Sequence, residues 1–104
     1  MTKEEQIKEI KRIIKEFGST TSSELSLDCS PCINSIGNGK NNVSQLVEHF
    51  NQDDVTAVTY NDETEIGEEE ISYEDLSEDI IDEVYHIIEA YEVDMLKTEK
   101  RIQN

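Results

Sequence analysis

A chain of 104 residues, 35% of them hydrophobic, has room for one domain around one core. Its formal net charge of −16 argues against non-specific association with DNA, RNA or an anionic membrane. Residues 41–96 carry eighteen aspartates and glutamates and no lysine or arginine, a surface that repels phosphate and attracts basic partners or cations.

The first helix is marked at both ends. Thr2 followed by Glu5 fits a capping box, which ties down the first free N–H groups. Ile7, Ile10, Ile13, Ile14 and Phe17 recur every three to four residues as one apolar stripe, and Gly18 stops the helix. Glu4 with Lys8, and Arg12 with Glu16, have the i,i+4 spacing of surface ion pairs. No apolar segment stands behind a basic start, and no apolar run reaches the roughly 18 residues that span a bilayer. The expected location is therefore the cytoplasm, where Cys29 and Cys32 remain reduced thiols.

The polar run 19–23 predicts a short helix or turn with Leu25 and Leu27 pointing inward. Residues 28–42 read as a long irregular loop, pinned to the core by Ile33 and Ile36. Val43, Leu46, Val47 and Phe50, spaced three, one and three behind the cap Asn42, predict a helix over 43–50. Val55 to Tyr60 is β-branched and aromatic and predicts a strand, and residues 61–63 supply a turn. Residues 64–71 return as a second strand, weakened by the consecutive like charges of Glu68, Glu69 and Glu70.

Ser72 with Asp75, or Ser77 with Glu78 and Asp79, caps the last helix. Ile80, Ile81, Val84, Tyr85, Ile87, Ile88 and Tyr91 give that helix a broad apolar face. Past Tyr91 the pattern thins to Val93, Met95, Leu96 and Ile102. Residues 1–96 then form the domain, and 97–104 a frayed basic tail.

The order helix, short helix, loop, helix, hairpin, long helix over residues 3–92 resembles a winged-helix domain. That resemblance implies an α+β fold of three helices plus a hairpin wing and a long, often dimerising, C-terminal helix. It also implies DNA reading through the third helix and the wing. In that arrangement Ser44 and Gln45 face bases and Lys40 is the nearest cation, while the wing would present Asp62, Glu63 and Glu65 to the phosphates it must grip.

Charge therefore favours another role, a small acidic protein-interaction or regulatory module without catalytic activity. Asp62, Glu63, Glu65, Glu68, Glu69 and Glu70 are its docking residues for a basic protein. Ile81, Tyr85 and Ile88 form a second stripe on the last helix that suits a homodimer.

A third reading takes Cys29 and Cys32 as metal ligands with His49, although one Cys-x-x-Cys lacks the second pair that a tetrahedral zinc site needs. The run 35–40 departs from the phosphate-loop pattern. With Asp62 first in a calcium loop, the twelfth place falls on Tyr73 instead of a bidentate glutamate. No cofactor signature and no nucleophile beside a base is present in the sequence.

Overall fold

In a computed structural model the described residues fold as two α-helices and an antiparallel sheet of five strands. The structure describes residues 1–27, 30–38 and 41–103, and the side chains of 36–38, 41 and 99–103 fall outside that description. Helix α1 (Lys3–Phe17) is followed by β1 (Thr20–Thr21), β2 (Cys32–Asn38), β3 (Asn41–Phe50), β4 (Asp54–Asn61) and β5 (Thr64–Ser72). A 3₁₀ turn at Tyr73–Asp75 leads into α2 (Glu78–Gln103).

Both ends of α1 form as the sequence predicts. The Glu5 amide donates to Thr2 Oγ1 and the Thr2 amide to Glu5 Oε1, each at 3.2 Å. Gly18 sits at φ 99°, a backbone region that costs glycine little. At the start of α2 the Ile80 amide donates to Ser77 Oγ at 3.3 Å, so Ser77 is the cap, and Ser72 precedes the 3₁₀ turn instead.

The helices run parallel, with Gln6 Nε2 donating to Asp82 at 2.9 Å and Arg12 bridging to Glu92 at 2.9 Å. At the end of α1, the Tyr91 hydroxyl donates to the carbonyls of Phe17 and Gly18 at 3.1 Å. Because α1 stops opposite Tyr91, residues 92–103 of α2 run on past it, about 18 Å of helix at the α-helical rise.

Strand pairing assigns the two faces of the sheet. Val47 lies opposite Ala57, and Phe50 opposite Val55, and all four are buried. Val47, Phe50 and Val55 share one core with Ile7, Ile10, Ile13 and Ile14 of α1, and Ile81, Val84 and Ile88 of α2. Both helices therefore pack on that face, and Tyr73 and Leu76 close its end. The opposite face presents Leu46 beside Val58, Ser44 beside Tyr60 and His49 beside Thr56, with neither helix over it.

The winged-helix architecture is thereby overturned: the described residues form two α-helices, and the hairpin is half of a four-strand meander. Residues 43–50 are strand, not a third helix. The spacing of Val43, Leu46, Val47 and Phe50 imitates a helix because Leu46 and Val47 point to opposite faces. A bulge between Val47 and His49 then shifts the parity, so that Phe50 returns to the side of Val47.

Residues 32–38 belong to a strand as well, not to a loop. Pairing with β3 imposes extended structure on a segment in which Asn34, Ser35, Gly37 and Asn38 have little strand preference of their own. Ile33 does pack against the core, whereas the side chain of Ile36 is outside the described residues. The polar run 19–23 supplies β1 and part of a turn in place of a short helix.

Candidate functional site

The acidic residues of the hairpin meet at a sheet edge. Among the described residues β5 pairs with β4 alone, so its other edge offers backbone groups no strand partner there. From Thr64 to Glu70 every residue of β5 is exposed, on both faces. Asn61 lies opposite Thr64, and the two-residue turn between them is Asp62 and Glu63, with Asp62 at φ 56°, which an aspartate tolerates.

A register shift between Thr59 and Tyr60 puts Glu65 opposite Tyr60, while Glu68 faces Val58 and Glu70 faces Thr56. These three glutamates share the helix-free face. Glu69 stands on the other face, where it accepts a hydrogen bond from Gln45 Nε2. Gln45 in turn accepts from Asn34 Nδ2 at 3.2 Å. Gln45 and Ser44 thus lie on opposite faces of one strand, not together on an exposed helical face. Lys40, their proposed companion in DNA reading, is outside the described residues.

What sets this edge apart is how its charge is left. Arg12 bridges Glu9 at 2.8 Å, Glu16 at 3.2 Å and Glu92 at 2.9 Å, and Lys11 reaches Glu74 at 2.8 Å. Arg12 holds the Glu9 carboxyl below the usual carboxylate range, first by its hydrogen bond and then by its charge. Among the described residues, none of Asp62, Glu63, Glu65, Glu68, Glu69 and Glu70 has an ion-pair partner. Among the described residues, Lys11 and Arg12 of α1 pair with acids on and beside the helices, and no cation pairs with the hairpin.

A second feature lies on the opposite side of β3. β1 pairs with His49 and Phe50, and β2 with residues 41–46, leaving a break beside the bulge. Backbone and hydroxyl groups fill it: the Val47 amide donates to Pro31 O at 2.8 Å, the Ser22 amide to Glu48 O at 2.9 Å, and Ser22 Oγ to Val47 O at 3.0 Å. A hollow of about 250 Å³ opens there, lined by Thr21, Ser22, Ser23, Leu27, Ser30, Glu48 and His49. The Tyr60 hydroxyl donates to Glu48 Oε1 at 2.8 Å, and this bond, followed by burial, pushes the tyrosine pKa up. Sequence reasoning missed this hollow because it depends on a bulge that no local pattern announces.

The proposed metal ligands do not assemble among the described residues, which hold no group of three or more His, Cys, Asp or Glu suited to a metal ion. Cys32 is exposed, with its thiol 3.3 Å from Asn34 O, and it pairs opposite Leu46, three residues before His49 on β3. Cys29 lies outside the described residues. On α2, Ile81 and Ile88 are wholly buried within this one chain, so they are core residues and not a free dimer stripe. Tyr85 is half-buried against the same core. The apolar face of α2 is wide because it meets both α1 and the sheet.

No protein-family model, no curated protein and no solved structure matches this chain. None of its described helices is long and apolar enough to cross a membrane.

Proposed function

We propose that the protein is a small, non-catalytic interaction module that docks a basic protein partner through the acidic edge of the β4–β5 hairpin. The observation that carries this reading is the cluster of Glu65, Glu68, Glu69 and Glu70 on a strand exposed along both faces, with Asp62 and Glu63 at its tip and no ion-pair partner for any of them among the described residues. A lysine- or arginine-rich surface gains charge-assisted contacts there and relieves repulsion among neighbouring carboxylates. The same field disfavours phosphate, so nucleic acid is not the partner. The exposed free thiol of Cys32 fits a reducing compartment, in keeping with the cytoplasm.

Fluorescence anisotropy with a labelled lysine- and arginine-rich peptide tests this, with duplex DNA as the comparison. The protein should bind the peptide with an affinity that falls as salt rises, and should leave DNA unbound. Replacing Glu65, Glu68, Glu69 and Glu70 together by glutamine should weaken peptide binding about tenfold or more. Equal binding by the variant, or salt-sensitive binding of the duplex, overturns the reading.

A further inference from the structure

The acidic edge has a second property besides charge, the direction of its main chain. The Asp62 amide donates to Asn42 O at 2.7 Å, and at the other end of β4 the Asn51 amide donates to Asp54 O at 2.9 Å. Both Asp54 and Asp62 therefore turn these backbone groups toward β3. Backbone groups alternate sides along a strand, so Thr56, Val58 and Tyr60 also face β3, while Val55, Ala57 and Thr59 face β5. Their partners Ile71, Glu69 and Gly67 bond inward to β4. Glu68 and Glu70, lying between them, are left with N–H and C=O aimed at the open edge. The register shift sets Ile66 outside the ladder, so the regular edge runs from Gly67 to Ile71. The side chains of Glu68 and Glu70 stand together on the helix-free face, both exposed.

We propose that the basic partner adds to this edge as an extended strand, antiparallel to β5, with lysine or arginine at alternate positions. The proposal rests on the reading of the hairpin as a basic-partner site and states how the partner is held. In antiparallel pairing, the residue opposite Glu68 exchanges both main-chain bonds with it and carries its side chain on the same face. The residue opposite Glu70, two places along, does the same. Lysine or arginine at these two places completes a main-chain pair and a charge pair at once. The position between them falls on the other face, beside Glu69, which already accepts from Gln45. Charge decides the occupant: a second copy of β5 would set carboxylates against carboxylates, whereas a basic strand complements them. Main-chain bonds then supply affinity, and the alternating side chains supply specificity.

Amide hydrogen exchange followed by NMR tests this, on the full chain with a synthetic peptide that alternates lysine and threonine. In the free protein the Glu68 and Glu70 amides should exchange faster than those of Glu69 and Ile71. Saturating peptide should slow Glu68 and Glu70 by about tenfold or more and leave Glu69 and Ile71 little changed. Two backbone-methylated peptides of the same charge give an independent check. N-methyl groups on the lysines remove the donors that face β5 and should weaken binding about tenfold or more. N-methyl groups on the threonines point away from β5 and should leave affinity within about twofold. A peptide that binds without protecting Glu68 and Glu70, or that binds equally well with its lysines N-methylated, overturns strand addition and leaves the basic-partner reading standing. Failure of the unmethylated peptide to bind at low salt overturns that reading itself, and this inference with it.

Discussion

At the residue scale, Tyr73 joins the turn after β5 to the core. It is fully buried, and its hydroxyl donates to Asn51 O at 2.6 Å, fastening the β3–β4 connection. Burial, reinforced by the charges of Asp54 and Asp53, pushes its pKa far above the ordinary tyrosine value. A raised pKa means that the folded state holds the proton more tightly than the unfolded chain does. The stability this gives is fully present below about pH 10, where tyrosine in the unfolded chain ionises, and declines as the pH rises further. Tyr73→Phe should cost about 1–2 kcal/mol at neutral pH by leaving the Asn51 carbonyl unpartnered. Urea unfolding at pH 8 and pH 11 should show the wild type losing more stability between the two than the variant. The other tyrosines are common to both proteins and cancel in the comparison, so equal losses would show that Tyr73 ionises as freely in the fold as in the open chain.

At the scale of elements, legibility followed the range of the forces involved. α1, the Ser77 cap and the β4–β5 hairpin are set by local capping, periodicity and turn chemistry, and each is readable from a few neighbouring residues. β2 and β3 are set by partners elsewhere in the chain. Cys32 to Asn38 becomes a strand only because β3 offers an edge, and a bulge near Glu48 disguises β3 as a helix. The acidic docking residues could be named from sequence, since their charge is a composition fact. That they occupy an open sheet edge instead of a wing, and that Ile81 and Ile88 are core, depended on the tertiary arrangement.

The glutamates of β5 have a second consequence at this scale. Like charges along an uncovered edge oppose pairing with another copy of the same strand. Replacing Glu68 and Glu70, which share the helix-free face, by valine should raise strand preference and remove that guard. Light scattering should then detect species larger than those of the wild type as concentration rises. If the variant scatters no more than the wild type, the carboxylates are not what keeps the edge apart.

For the whole molecule, charge sets the terms. With a formal net charge of −16 and the hairpin acids without an ion-pair partner among the described residues, self-repulsion opposes the compact state. The ion pairs around Arg12 are partly exposed and individually small, so screening them costs less than screening the repulsion returns. The Tm should therefore rise as sodium chloride is raised from low ionic strength to about 0.5 M, a range in which the screening length falls well below 10 Å. A Tm that falls over that range would mean that attractive pairs, not repulsion, dominate the electrostatics.

The central claim is that the acidic β4–β5 edge is where a basic partner docks. Backbone amide NMR during titration with a lysine- and arginine-rich peptide locates the contact residue by residue. Shift changes should concentrate on residues 62–70 and the paired positions of β4, and should disappear at high salt. Changes centred on α1 or α2, or spread evenly over the surface, would contradict the account.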